Sequence, residues 1–590
     1  MRKILPSLVL GSALLVYVAA CSDSPAGPGT PGGTCSGSTF ALGPLQGRTV
    51  SAADLPCMTI APDGGTYLIV PQFATADAPL TTVTFKLSAG SPAGAAANVV
   101  AASKRISPVA RKADLGQLQR SFDGILRQRE RTLSAGARTS GSAGIGPLAS
   151  RVRASVAPPA TTTFKVRNSL TGSGTTLDTA NLRYSGTHLL IYVSKNAPGP
   201  ANGVNGFSDA QIAAFGNTFD LELYTIDVAT FGAPTDIDAN GHVIVLLSPL
   251  INKLTDRNVC TTQGYIAGFF DATDLLPASY PAASNGEELF YALVPDPAAT
   301  FSCAHSIAAV EQLTPSTFIH EFQHMISFGQ HSIIRGGNDE DPWINEGLSH
   351  IAEELGSRYY ENRFPPPSGR TDPGQAFPDS SQGFITGDLY NSYHYLLNPA
   401  STDSTDKASV SNWGTGDGTL VQRGGAWLFL RWLGDQQDSL VYGRLDQTSN
   451  TGVANIQAAS GTPFPTLFGE FALALYTDSL PGIPRASIPA AYRFTSRNLR
   501  ALYAKQSMRN PNDFQLAFPI PVSALTPSST ATEAMYPGTM DYFILNAPAS
   551  GSNVVLTFAP ATGPSFNSSL GAQVSVFRCP SSAACPLSVQ

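Results

Sequence analysis

The run His320-Glu321-Phe322-Gln323-His324 constrains this 590-residue chain more than any other feature. On a helix, residues four apart lie ~40° from each other around the axis and ~6 Å along it. The two imidazoles can therefore converge on one metal ion, and Glu321 projects to the side, within reach of a water on that ion. The flanks agree with a helix. Phe318, Ile319, Phe322, Met325 and Ile326 supply an apolar surface, and Pro315 and Ser316 read as its opening, so a helix is expected over Leu313–Phe328.

A catalytic zinc site needs a third protein ligand and one open position. The extension H-E-x-x-H-x-x-G-x-x-H fails here: Ser327 and Gln330 stand at the required positions, and Gly329 and His331 are out of register. The alternative donor is Glu346, 22 residues after His324, in Trp343-Ile344-Asn345-Glu346-Gly347-Leu348-Ser349. Between them, Gly336, Gly337, Asn338, Asp339 and Pro342 form a loop suited to reversing the chain. A second helix, Trp343–Tyr360, then carries Glu346 back over the histidines.

These two motifs together look like those of the gluzincin metallopeptidases. His-Glu-Phe-Gln-His-Met-Ile followed by Trp-Ile-Asn-Glu-Gly-Leu-Ser resembles the hyicolysin family of secreted bacterial neutral metallopeptidases. Thr235–Gly241 and Gly264–Phe270 also resemble segments of such catalytic domains. The resemblance covers roughly 161–480 and implies an α+β multidomain protein whose thermolysin-like zinc peptidase domain is flanked by small β-rich modules. It implies Zn2+ held by His320, His324 and Glu346, Glu321 as general base, and protein or peptide substrates. Where thermolysin has an acidic residue one turn after the ligand glutamate, this chain has His350; Glu353 and Glu354 both remain candidates for orienting a ligand histidine. The oxyanion of such a reaction needs a further donor. Tyr390, Tyr393, His394 and Tyr395 are the candidates, with an aromatic core strip as the competing reading.

A second ion is considered at Asp236-x-Asp238-x-Asn240-Gly241, which matches the first half of a calcium loop. Leu247 stands where the bidentate glutamate of such a loop belongs, and the same residues also suit a tight turn before a strand. Asp339-Glu340-Asp341 is a weaker candidate.

The N-terminus carries an address. Met1-Arg2-Lys3 precedes an apolar stretch too short and too interrupted to span a membrane, ending in Val18-Ala19-Ala20-Cys21. This resembles a bacterial lipobox, which implies removal of residues 1–20, lipidation of Cys21 and attachment to the cell envelope. Ser22 after the cysteine implies the outer membrane, with release to the exterior as the other outcome. Residues 21–34 read as a Gly/Pro/Ser tether. Six cysteines remain; of the fifteen pairings, Cys35–Cys57, Cys260–Cys303 and Cys579–Cys585 are the simplest, each within one apparent module.

The rest divides into a small β-rich module (35–100), a helix and linker (101–160), the metallopeptidase domain (161–480), a connection (481–525) and a β-sandwich-like module (526–590). Residues 36–160 are a candidate removable propeptide. Arg127, Arg129 and Arg131 read as a solvated helix face. A net charge of -7 argues against a nucleic-acid partner. The leading function is a zinc endopeptidase. The alternatives are an aminopeptidase, whose Gly-x-Met-Glu-Asn strand is missing here, and a lipid-anchored binding or adhesion protein without catalysis.

Overall fold

The computed structural model describes residues 38–90, 116–139, 157–199, 205–363, 379–403, 407–414, 418–438 and 440–587. Cys21, Cys35 and the 1–34 region lie outside them. The protein is a mixed α/β molecule with three sheets and a helical half.

Strands near the two chain ends do not make two modules. They share two five-stranded sheets. One runs Ser38–Thr39, Met58–Ile60, Val554–Pro560, Val83–Gly90, Ser529–Met535; the other runs Ser523–Leu525, Phe543–Asn546, Thr66–Phe73, Ala572–Cys579, Gly47–Ser51. The reason lies in Thr66–Phe73, which is buried along its whole length. Tyr67, Ile69 and Phe73 enter the core between the sheets, against residues such as Phe558, whereas Leu68 and Val70 join the core of the helical half. A strand with two buried faces needs cover on both sides. The sister sheet gives one cover and the helix Phe464–Thr477 the other, through Tyr542 Oη on the Ala472 carbonyl and Ser575 Oγ on the Gly469 carbonyl.

The third sheet has the order Gly268–Phe270, Leu289–Ala292, Val243–Leu247, Leu189–Ser194, Thr175–Ser185, Thr161–Arg167. Its middle strands are parallel and uniformly apolar, as strands buried on both faces require. Gly268–Phe270 is an antiparallel edge strand beside the site.

The helix bearing both histidines is Ile307–Phe328, not Leu313–Phe328. Ser306 caps it by accepting from the Ala309 N–H, and Pro315 sits inside. Around that proline the hydroxyls of Thr314, Ser316 and Thr317 donate to the carbonyls of Val310 and Leu313. The expected connection 481–525 is also structured. It contains the helix Leu499–Arg509, buries Phe494, Leu502 and Tyr503, and sends Arg497 into the interior. Disulfides Cys260–Cys303 and Cys579–Cys585 form as expected, and Cys57 is disulfide-bonded.

Candidate metal centre

Helix periodicity builds the site. His320 and His324 lie one turn apart on Ile307–Phe328, and the antiparallel helix Pro342–Arg363 brings Glu346 to them. The Nε2 atoms of His320 and His324 are 3.1 Å apart, and each is 3.7 Å from Glu346 Oε2. Bonds of ~2.0–2.1 Å to a tetrahedral zinc place ligand atoms about 3.3 Å from one another. Two imidazoles and one carboxylate in such a triangle therefore fit the ion, and Glu346 Oε1 is a buried acceptor with no hydrogen-bond partner.

Both rings are held from behind. His320 Nδ1 is 2.7 Å from Glu353 Oε1, and His324 Nδ1 is 2.5 Å from Asn345 Oδ1. Hydrogen bonds at Nδ1 leave the Nε2 lone pairs for a metal. Of the two carboxylates left open by the sequence, Glu353 is the one at the histidine. Glu354 faces away, to Arg431 and, at 2.6 Å, to Arg497. Burial opposes its charge, but Arg431 and Arg497 outweigh burial and hold it at about 2. A signal was present: seven residues separate Glu346 from Glu353, which returns a helix to nearly the same face.

Glu321 is buried beside the triangle, where its Oε2 accepts from the Phe270 N–H at 2.9 Å. Burial pushes its carboxyl up to about 7, the range in which a carboxylate exchanges protons readily at neutral pH. Glu346 behaves oppositely: burial raises it, but Arg423 and Arg127 prevail and keep it below the usual carboxylate range.

The expected oxyanion donors lie elsewhere. Tyr393 is buried, and its Oη accepts from the Leu516 N–H at 2.7 Å. Tyr395 is buried against Met540. Tyr390 and His394 pack edge to face, 4.3 Å between ring centroids. None lines the cavity of ≈ 280 Å³ beside His320 and Glu321; His350, Asn391 and Arg423 do. The aromatic-strip reading therefore describes this helix better. His350 was overlooked. Its Nδ1 lies 2.9 Å from Asp388 and 3.1 Å from Glu353. Burial disfavours its charge, yet those carboxylates push it up to about 10.

His331 is fully buried near Glu340 and outside the triangle. Asp339-Glu340-Asp341 does not converge on an ion. Glu340 caps Gly452 and Asn455, and Asp341 pairs with Arg131.

The helix Gln117–Thr139 covers the cleft. Gln119 donates to the Gly268 carbonyl and accepts from the Ala267 N–H, using main-chain groups of the sheet edge. Asp123 pairs with Arg423 at 3.2 Å, and Phe122 packs edge-on against Phe269. Arg127 is 1% exposed, bonded to Glu130 and 3.9 Å from Glu346. The arginines thus do not form a solvated face: Arg127 is swallowed by the site, and Arg129 and Arg131 pair with Asp271 and Asp341.

No family model matches the chain. It is similar to a neutral metalloprotease, ShpI, of Staphylococcus hyicus, at 26% identity over 177 residues. That stretch is 30% of this chain, and the match spans about a third of the relative's length (36%). Among the described residues, no helix is long and apolar enough to cross a membrane.

Proposed function

We propose that this chain is a zinc metallopeptidase of the gluzincin type, cleaving internal peptide bonds of extracellular proteins from a lipid anchor at Cys21. The observation that carries the reading is the convergence of His320 Nε2, His324 Nε2 and Glu346 Oε2 with Glu321 alongside. Zinc, when bound, polarises the scissile carbonyl and acidifies a water. Glu321 takes the proton of the attacking water and passes it to the leaving amine. His350, fixed by Asp388 and Glu353, offers a hydrogen bond to the developing oxyanion. An endopeptidase is favoured over an aminopeptidase because the chain lacks the Gly-x-Met-Glu-Asn strand. The form described is a latent one, with Gln117–Thr139 seated in the cleft. A propeptide spanning all of 36–160 conflicts with the sheets, since Thr66–Phe73 and Val83–Gly90 are interior strands; the covering role belongs to the helix alone.

The test is hydrolysis of casein and of amino-acid p-nitroanilides by purified protein and by its Gln119→Ala/Asp123→Ala variant, in which the covering helix loses its hold on the cleft, with and without chelator, beside Glu321→Gln. Chelator-sensitive casein cleavage, lost in Glu321→Gln, supports the endopeptidase. Anilide cleavage with intact casein points to the aminopeptidase, and no cleavage of either to the binding protein.

A further inference from the structure

Away from the histidines, a second group of carboxylates converges. The loop Thr235–Gly241 leads into the strand Val243–Leu247, and Glu288 directly precedes the neighbouring parallel strand Leu289–Ala292. Oxygens of Asp236, Asp238 and Glu288 all lie within 4.8 Å of one another. Calcium–oxygen bonds of ~2.3–2.6 Å allow ligand oxygens up to about 5 Å apart around one ion.

Glu288 is the decisive residue. It is 1% exposed, its Oε1 accepts from Thr235 Oγ1 at 2.7 Å and the Ile237 N–H at 2.9 Å, and its Oε2 is buried with no hydrogen-bond partner. A buried carboxylate oxygen without a donor is costly.

We propose that Asp236, Asp238 and Glu288 form a calcium site, in which Glu288 supplies from the adjacent strand the carboxylate that the loop lacks at Leu247. Asn240 serves the loop itself: its Nδ2 donates to Asp238 Oδ2 and its Oδ1 accepts from the His242 N–H. The loop is already shaped for the ion: Gly241, at φ 76°, makes its last turn, and the Gly241 N–H donates to Asp236 Oδ1. The site bears on the rest of the molecule through the segment after the histidine helix. A Cβ on Gly329 would lie 3.1 Å from Thr235, and the Gln330 amide donates to the Ala233 carbonyl. An ion in the loop therefore braces the far end of the metal-binding helix.

The test is thermal unfolding of zinc-loaded Glu321→Gln protein in millimolar calcium, in millimolar magnesium and without either. Terbium luminescence, sensitised by the nearby Tyr224, reports binding directly. These readouts require no peptidase activity, so they stand or fall apart from the proposed function. Calcium raising Tm by roughly 3–5 °C, with loss of the shift and of the terbium signal in Asp238→Asn and Glu288→Gln, is the expected result. Asp238 lies on a partly exposed turn, so its variant folds even if the Glu288 variant does not. An unchanged Tm in calcium, an equal response to magnesium, or a shift retained in Asp238→Asn would overturn the proposal.

Discussion

At the scale of single residues, two adjacent glutamates have opposite duties. Glu353 touches His320 and Glu354 touches Arg431 and Arg497. Glu353→Gln is expected to weaken zinc affinity about 10–100-fold, measured by competition with a chromogenic chelator. Glu354→Gln should leave zinc affinity in place and lower stability. Its carboxyl is held at about 2 when folded against an ordinary 4.5, so its stabilisation is complete above pH 4.5 and disappears as pH falls towards 2. The Tm gap between wild type and Glu354→Gln should accordingly narrow between pH 5 and pH 3. Glu321→Gln should reduce kcat by about 10²–10⁴-fold while bound zinc, read by elemental analysis, stays at one equivalent. The convergence of His320, His324 and Glu346 was legible in the sequence because the histidine spacing is helical and Glu346 follows one reversal of the chain. A donor for an oxyanion was not: aromatic density around Tyr393 marked a core packed on Phe514 and Tyr503, and His350, one turn after Glu346, was passed over for that role.

At the scale of elements, the covering helix decides whether the cleft is open. Gln119 and Asp123 hold it by the sheet edge and by Arg423. Gln119→Ala combined with Asp123→Ala should raise the initial rate on a short fluorogenic peptide at least several-fold relative to wild type, with the zinc content unchanged. Equal rates would show that the helix leaves the cleft accessible. The helix itself could be read from Leu118, Phe122, Ile125 and Leu126, but its arginines could not be placed. Charged side chains on an isolated amphipathic helix look solvated, and only the partners Glu346, Asp271 and Asp341 from elsewhere, with Glu130 on the same helix, offset the cost of burying them. Pro315 misled for a related reason. Proline usually opens a helix, yet Ser306 caps this one earlier, and neighbouring hydroxyls serve the carbonyls around the proline.

At the scale of the whole molecule, the sandwich ties together segments separated by most of the chain. Thr49 Oγ1 meets Ser575 Oγ across 526 residues, and Thr66 meets Asn546 across 480. A chain ending at residue 548 loses the strands Val554–Pro560 and Ala572–Cys579, which lie inside both sheets. It should be recovered as aggregated or protease-sensitive material, as judged by soluble yield and limited proteolysis, whereas Cys579→Ser with Cys585→Ser should remain soluble at reduced Tm. Individual strands were legible from alternation and β-branching, but partnership was not, because nothing in a local pattern says which distant edge will cover it.

That topology also sets a clock. Thr66–Phe73 leaves the ribosome early but waits, with both its faces bare, for a partner that is among the last segments made. The sandwich cannot close until residue 579 has been made, so an interval with an open apolar strand is built into the order of synthesis, and a shortened chain is left with that strand uncovered.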